Sequence, residues 1–202
     1  MEARWFNLAL LPDEPSRMTT EWWSQSIENS DIRLGEPHLA HLSVYQAQFA
    51  DRDEVERIID RMHQSLRAIE LDVQSFGSPS AGFIFADTTN PKQLQSLHQS
   101  MLDTVAPHRT PLDPAIIRAL AETRTPTQTR SLEKYGMALA GAGYRPHVTL
   151  GLVAHEREQD VLAGLRNQMR NSVRLRFNRL GLIDCDPKNG SATTAHVEWL
   201  LQ

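Results

Sequence analysis

The order of strand and helix patterns in this chain occurs twice, and that repetition restricts the possible folds more than any other feature of the sequence. Each copy consists of a strand pattern, a helix pattern and two further strand patterns. The first copy covers 38–49, 51–69, 70–76 and 82–87, and the second covers 144–153, 157–169, 172–183 and 193–201. Short strands mixed with helices favour an α+β fold with antiparallel sheets. The repeat predicts a bilobal fold, in which two pseudo-symmetric lobes of antiparallel sheet and helices surround a central cleft.

Other segments add elements outside the repeat. Residues 4–11 are apolar enough for a buried strand, and Asn90-Pro91 is typical of a helix start. The polar residues 123–130 predict an exposed loop. The helix predicted at 16–29 has an apolar stripe that we expect to face the core, formed by Met18, Trp22, Trp23 and Ile27.

Composition limits the classes of protein to which the chain can belong. Its 202 residues lie between one and two domains at roughly 150 residues per domain, and the repeat favours a single domain over 1–202. The one cysteine, Cys185, excludes an intrachain disulfide. Apolar runs are far shorter than the ~18 residues of a membrane span, and the N-terminus is a poor signal peptide. We therefore expect a cytoplasmic monomer that does not bind membranes.

The charge balance indicates the size of a possible ligand. The chain has 21 Lys and Arg residues against 25 Asp and Glu residues, which gives a formal net charge of −4. A protein that holds a long polyanion by charge alone is normally basic. We therefore expect no DNA binding and, if RNA is the ligand, only an end or a small piece of it.

A histidine followed two residues later by serine or threonine occurs five times. Only the copies that start at His41 and His147 have apolar residues at the intervening and following positions. This is the pattern of a strand, in which residues i and i+2 share a face. The copies at His63 and His98 lie in helix patterns and the copy at His108 in a proline-broken loop, so we interpret these three as unrelated to a site.

Each of the two strand motifs places an imidazole and a hydroxyl side by side, which suits a phosphate group. One neutral histidine can take a proton from the attacking oxygen, and the other, protonated, can donate one to the leaving oxygen. Free imidazole titrates near ~6.5, so both states are accessible at neutral pH. Ser43 and Thr149 can donate hydrogen bonds to the non-bridging oxygens. The motifs therefore predict His41 and His147 as catalytic residues and the two hydroxyl residues as substrate ligands.

These motifs resemble those of the 2H phosphoesterase superfamily, the group of bacterial 2′-5′ RNA ligase-like proteins and cyclic phosphodiesterases. Tyr144–Gly151 is similar to the second motif of that family, His41–Tyr45 to its first motif, and Arg4–Leu10 to its opening strand. Ser43 stands where threonine is commoner in the family. The resemblance implies a hydrolase that needs no metal or cofactor and acts on 2′,3′-cyclic or 2′-5′ phosphodiester bonds of RNA ends or small nucleotides.

Two further residues are candidates for contact with the substrate. Strand alternation places Tyr45 on the face of His41, where it can line the cleft, and a tyrosine that only packs at the end of the strand is an equally good interpretation. Arg145 adjoins the second motif and has the parity of His147, although Pro146 disturbs regular pairing. We therefore expect Arg145 to contact the phosphate.

Several alternative interpretations remain at this stage. The same residues could serve a non-catalytic protein that binds nucleotides or RNA ends, a 2′-5′ RNA ligase, or an interaction module with a vestigial cleft. A metal site at His38 and His41 is disfavoured, because their odd spacing points them to opposite faces of a strand. Arg174 and Arg176 could guide an anionic substrate, but a solvated surface is the favoured interpretation.

Overall fold

With the exception of one helix, strands and helices follow each other along the chain in the order that the sequence patterns predict. The computed structural model describes residues 4–28, 39–78, 82–169, 172–185 and 192–202. In these ranges the strands are β1 (Arg4–Pro12), β2 (Leu42–Phe49), β3 (Ile69–Gly77), β4 (Phe83–Thr88), β5 (His147–Leu152), β6 (Val173–Cys185) and β7 (Ala192–Leu200). The helices are α1 (Glu14–Glu28), α2 (Arg52–Met62), α3 (Lys92–Thr104), α4 (Pro114–Ala121), α5 (Pro126–Tyr135) and α6 (Glu158–Gln168).

The strands form one antiparallel sheet in the order β1-β2-β5-β4-β3-β6-β7, with an additional pairing between β1 and β6. The first part of β6 pairs with β3, and its second part pairs with β1 and β7. Because β1 also pairs with β6, strands β1 to β6 form a closed ring. In this ring β2 and β5 are joined through the pair of Leu42 and Val148. These pairings confirm the α+β class with antiparallel strands, whereas the division into two lobes stays a prediction.

The order of elements in the predicted repeat is confirmed. The first copy is β2, α2, β3 and β4, and the second is β5, α6, β6 and β7. The strand pairings also give a second correspondence, in which β4 is the equivalent of β1 instead of the last strand of the first copy. β1 pairs with β2 and is followed by α1, just as β4 pairs with β5 and is followed by α3. The strands of the two histidine motifs, β2 and β5, therefore each have an equivalent partner strand and an equivalent preceding helix.

The helices cover the face of the sheet that carries the apolar core, and α2 illustrates why they form. Val55, Ile58 and Ile59 recur at helical spacing and are buried. At the start of the helix, the Asp51 side chain accepts a hydrogen bond from the backbone N–H of Glu54 at 3.1 Å, which satisfies an N–H that the helix itself leaves unpaired. Each buried aliphatic side chain contributes about 1.5–3 kcal/mol. Packing of this kind leaves the opposite face of the motif strands for polar side chains.

The exposed loop predicted at 123–130 is wrong, because α5 begins inside it. Thr125 accepts a hydrogen bond from the backbone N–H of Gln128, whose side chain in turn accepts one from the backbone N–H of Thr125. Pro126 occupies the first helical position. This capping box and the proline are both helix-start signals, so the sequence carried the information in a segment that is polar throughout.

The apolar stripe predicted on α1 is only half correct. Trp23 and Ile27 are buried in the core. Met18 and Trp22 are 61% and 51% exposed, because the helix turns that side away from the sheet. Spacing alone did not separate the two sides, since apolar residues occur on both.

Candidate active site

The two histidine motifs meet at the start of their strands. Leu42 of β2 pairs with Val148 of β5, and both side chains are buried. In an antiparallel pair the flanking residues run in opposite order, so each histidine falls beside the hydroxyl residue of the other motif. Because side chains alternate along a strand, all four polar residues lie on the face opposite the buried pair. The structure thus brings the two predicted motifs to one place.

Both motif strands contain a β-bulge at the residue that follows the hydroxyl. The register of β2 against β1 shifts at Val44, and the register of β5 against β4 shifts at Leu150. A bulge inserts one extra residue and bends the strand locally. Two bulges at equivalent positions show that the repeat extends to the backbone of the motifs themselves.

The bulge at Val44 changes the position predicted for Tyr45. Strand alternation would place this side chain beside Ser43 and His41, but the extra residue turns it into the core instead. Tyr45 is fully buried, and its hydroxyl donates a hydrogen bond to the carbonyl of Tyr135 at 2.6 Å. Burial raises the pKa of Tyr45 above its usual range. The structure therefore does not bring Tyr45 together with the other motif residues.

A side chain from a helix of the opposite half binds each bulge carbonyl. Ser24 of α1 donates to the carbonyl of Leu150 at 2.8 Å, and Nδ1 of His98 in α3 lies 2.7 Å from the carbonyl oxygen of Val44. Nε2 of His98 accepts from the backbone N–H of Gly141 at 2.9 Å. These two partners define a neutral imidazole with its hydrogen on Nδ1, and burial lowers the pKa of His98. His98 is therefore a structural residue.

The two motif imidazoles are oriented by the same backbone contact. Nδ1 of His41 lies 2.7 Å from the carbonyl oxygen of Leu39, and Nδ1 of His147 lies 2.9 Å from that of Arg145. A carbonyl oxygen can only accept, so Nδ1 carries the hydrogen in both neutral rings. Nε2 is then the basic nitrogen, and it is the atom of each ring that can exchange a proton with a ligand.

His147 lies among aromatic and charged side chains. Its ring stacks on Phe85 at a centroid distance of 4.0 Å, and it pairs across the strands with Asp87. The Asp87 carboxylate accepts hydrogen bonds from Arg145 at 2.9 Å and from Ser75 at 3.1 Å. Burial lowers the pKa of His147, while its hydrogen bond to the Arg145 carbonyl and the charge of Asp87 act in the opposite direction. The neutral form is therefore favoured, although a carboxylate is close enough to stabilise the cation.

His41 lies in a different environment, although its backbone position is equivalent. Its side chain is only 3% exposed. β1 pairs Leu10 with Leu42, so the next residue of β1 on the side of His41 is Leu11, at the position that a carboxylate occupies in the second half. Leu11 belongs to a small apolar cluster against which Leu39 packs. The two histidines thus have matching orientations but unlike surroundings.

Asn7 is a site residue that the sequence analysis missed. Its side-chain amide donates a hydrogen bond to the hydroxyl oxygen of Ser43 at 2.7 Å, although Asn7 is only 1% exposed. Because the Ser43 oxygen accepts this bond, its own hydrogen is directed to another acceptor. The available signal was a polar residue in the middle of an otherwise apolar strand, since burial of an amide requires a partner.

The basic residues near the motifs divide into two groups. The Arg145 side chain is paired with Asp87 and is 63% exposed, so its charge is accessible next to His147. Arg174 is paired with Asp72 at 2.9 Å, and Arg176 lies 3.8 Å from Asp13. Both of these arginines are exposed, in agreement with the solvated surface that we favoured.

The described part of the chain contains neither a cluster of metal ligands nor a membrane-spanning helix. In those residues, no group of three or more His, Cys, Asp or Glu side chains is placed to hold a metal ion. His38 lies outside the described residues. None of the described helices is long and apolar enough to cross a membrane.

Solved structures with the same fold include a phosphoesterase and E. coli LigT. One is described as a phosphoesterase, with a TM-score of 0.57, 11% sequence identity and coverage of 100% of this chain and 99% of that chain. E. coli LigT complexed with 3′-AMP has the same TM-score, identity and coverage. E. coli LigT in its apo form has a TM-score of 0.54 at 11% identity, again over 100% of this chain and 99% of that chain. At this level of identity the likeness establishes the fold.

A sequence model identifies the family. The model of the 2′-5′ RNA ligase superfamily matches residues 11–189, which is most of the chain. No curated protein sequence matches the chain significantly. The protein belongs to the 2′-5′ RNA ligase superfamily of 2H phosphoesterases, and the family predicted from the paired motifs is confirmed.

Proposed function

We propose that this protein is a phosphodiesterase that hydrolyses 2′,3′-cyclic or 2′-5′ phosphodiester bonds in RNA ends or small nucleotides without a metal ion. The observation that carries the proposal is the pair formed by Leu42 and Val148. This pair supports a single site in which two imidazoles and two hydroxyls act on one phosphate. Membership of a superfamily of phosphoesterases supports the same chemistry.

The two histidines supply both proton transfers of the reaction. Nε2 of one neutral imidazole takes a proton from water while the water oxygen forms a bond to phosphorus. Nε2–H of the other, protonated imidazole donates its proton to the ribose oxygen as the bond between that oxygen and phosphorus breaks. The products are a phosphomonoester and a ribose hydroxyl, and proton exchange with water restores both rings. Such acid–base catalysis typically contributes ~10²–10⁴ in rate.

The remaining motif residues bind the phosphate. Ser43, whose hydroxyl oxygen accepts from Asn7, donates to one non-bridging oxygen. Thr149 occupies the equivalent position in the second motif and donates to another. Arg145 supplies a positive charge at the exposed side of His147. Preorganised donors of this kind stabilise the charge that develops on a phosphoryl group in the transition state.

The expected ligand is small. E. coli LigT, which has the same fold, has been crystallised with 3′-AMP, and a ligand of that class fits the formal net charge of −4 of this chain. The proposal accordingly names an RNA end or a nucleotide and does not extend to DNA. The monomeric state and the cytoplasmic location remain predictions from the sequence.

Hydrolysis of the four nucleoside 2′,3′-cyclic phosphates in the presence of EDTA tests the proposal. We expect turnover by the wild-type protein, no effect of the chelator, and loss of turnover in His41→Ala and in His147→Ala. His155→Ala is the control, because that side chain is 90% exposed and belongs to neither motif.

Each other outcome has a defined meaning. Turnover that persists in both motif variants would contradict the assigned roles. Turnover that EDTA abolishes would contradict the metal-independent mechanism. Wild-type protein that hydrolyses neither the cyclic phosphates nor a 2′-5′-linked dinucleotide, but binds them, would support the non-catalytic alternative. Joining of RNA ends would support the ligase alternative.

A further inference from the structure

Two phenylalanines lie on the face of the sheet that carries the histidine motifs, and the mechanism above does not use them. Ile84 and Ala86 of β4 are fully buried in the core. Because side chains alternate along a strand, Phe83 and Phe85 lie on the opposite face. Both are partly exposed, and within the described residues they join neither the core nor the small apolar cluster of Leu11. We call Phe83 and Phe85 the aromatic platform.

The aromatic platform is joined directly to the second motif. Phe85 pairs across the strands with Thr149, whose hydroxyl we assign to the phosphate. The Phe85 ring stacks on His147 at a centroid distance of 4.0 Å and an interplanar angle of 24°. Phe83 lies two residues away on β4, which is about 6–7 Å at the rise of a strand, and its ring centroid is 6.1 Å from that of Phe85. The platform therefore begins at the second motif and extends away from it along β4.

The cross-strand neighbours of the aromatic platform do not cover its rings. On β3 the partner of Phe85 is Gly77, which has no side chain. On β5 the partner of Phe83 is Leu152, which is itself partly exposed and adds a further apolar side chain to the same face. Contiguous apolar and aromatic surface next to a few polar groups is typical of ligand sites.

The equivalent positions of the first half carry no aromatic ring. When β1 and β2 are matched to β4 and β5 by their pairings, Ala9 takes the position of Phe85. Asn7 takes the position of Phe83 in the same way. Ala9 and Asn7 are 0% and 1% exposed, and the Asn7 amide is bound to Ser43. Of these two equivalent pairs, only the pair in the second half offers a planar group of a ligand a surface on which to stack.

We propose that the aromatic platform stacks against the base of the nucleotide whose phosphate lies between the two motifs. This inference rests on the proposed function for the identity of the substrate. The base of a nucleotide is an aromatic ring that is separated from the phosphate by the ribose. It therefore needs a flat apolar surface one ribose away from the phosphate ligands, and Phe83 lies at such a separation from the residue that pairs with Thr149.

The proposal fixes the direction of the substrate in the site. With the phosphate between the motifs, the ribose and base extend along β4 and not along β1. Stacking uses the π-face that all bases share, so the platform orients the nucleotide without selecting one base.

Calorimetric titration with 3′-AMP and with its abasic analogue, in which hydrogen replaces adenine, tests this proposal. We expect the wild-type protein to bind 3′-AMP about tenfold more tightly than the analogue, a size typical of one base stacked on an aromatic side chain. Phe83→Ala should lose about tenfold in affinity for 3′-AMP and keep its affinity for the abasic analogue. Phe83→Trp, which retains an aromatic ring, should keep the preference for 3′-AMP.

The choice of Phe83 separates stacking from an effect on catalysis. Phe85 contacts His147, so its loss would also disturb the imidazole, whereas Phe83 is one alternation further away. Trp22→Ala is the control, because it removes an aromatic side chain of α1 that is 51% exposed and should change neither affinity. Circular dichroism should confirm that all three variants are folded.

The contrary results are equally clear. Equal wild-type affinity for both probes, or binding of neither, would overturn the proposal. An equal loss for both probes in Phe83→Ala, or no loss for either, would overturn it as well. Binding does not require turnover, so a preference for 3′-AMP that depends on Phe83, in a protein that hydrolyses no cyclic phosphate, would contradict only the catalytic proposal. Normal hydrolysis together with equal affinity for the two probes would contradict only the role of the platform.

Discussion

The two halves of the site have the same backbone and different surroundings. Each motif strand bulges after its hydroxyl residue, and each histidine ring is held by the carbonyl two residues before it. Beside His147 lie an aromatic ring and an ion pair, whereas beside His41 lies an apolar cluster. The repeat thus determines where the imidazoles lie, whereas the residues of the neighbouring strands give the two imidazoles different surroundings.

The largest expected effect is the loss of either histidine, which tests whether the halves act together. His41→Ala and His147→Ala should each lower kcat/KM for a nucleoside 2′,3′-cyclic phosphate by ~10²–10⁴, because each removes one proton transfer. Circular dichroism should confirm that both variants are folded. If only one variant loses activity, the halves are not functionally equivalent.

The second comparison concerns the side chains that bind the bulge carbonyls. His98→Ala should lower the free energy of unfolding by about 3 kcal/mol, because it leaves one buried and one partly buried backbone group unpaired and removes the ring stacked on Tyr144. Ser24→Ala should cost about 1 kcal/mol, since it removes one hydrogen bond. Denaturant unfolding measures both values. Equal losses of stability would contradict the deeper burial of His98 relative to Ser24.

His98 also makes a contribution to stability that depends on pH. Burial lowers its pKa in the folded protein, so the unfolded chain binds a proton first as the pH falls. The contribution is fully present above the unfolded pKa of ~6.5 and decreases as the pH falls toward the folded pKa. Unfolding measured from pH 7.5 to 5 should show this decrease in the wild-type protein. The decrease should be smaller in His98→Ala, and an identical pH dependence would exclude His98 as its source.

The first motif has a buried amide that orients its hydroxyl. Asn7→Ala should lower kcat/KM about tenfold, mainly through KM, because the Ser43 hydroxyl loses the partner that orients it. Gln46→Ala is a matched control, since Gln46 pairs with Asn7 across the strands but its amide binds Cys185 instead. An equal effect of both variants would indicate a change in packing and not in the orientation of Ser43.

The smallest expected effect concerns the carboxylate beside His147. Asp87 raises the pKa of His147 against the effect of burial, so Asp87→Asn should lower that pKa further. The limb of the pH–rate profile that reports His147 should move to lower pH by less than about one unit. Asp72→Asn removes an exposed carboxylate from the neighbouring strand and should leave the profile unchanged. A shift to higher pH in Asp87→Asn would contradict the assigned electrostatics.

The sequence predicted the parts of the fold that follow from local patterns. The alternation around His41 and His147 predicted two strands, and the spacing of the apolar residues predicted α2 and α6. The repeat was visible because the same order of patterns occurs twice. The equivalence of β1 and α1 with β4 and α3 was not recognised. The side chain that binds the bulge carbonyl is a serine in α1 and a histidine in α3, so the two segments share no sequence pattern there.

The positions that the sequence did not predict depend on tertiary contacts. A bulge is defined by the partner strand, so the alternation that placed Tyr45 beside His41 carried no information about the extra residue at Val44. Asn7 becomes a site residue only when β1 pairs with β2. The capping box of Thr125 was present in the sequence, but the polarity of its surroundings favoured the interpretation as a loop.

The most direct test of the account is whether one ligand contacts both halves. NMR of the wild-type protein with 15N-labelled histidine, titrated with 3′-AMP, follows the Nε2 atoms of His41 and His147 separately. We predict that both signals shift with one common Kd, while that of His98 does not move. Shifts at only one of the two histidines, or at both with different Kd values, would contradict a single site formed by the two motifs.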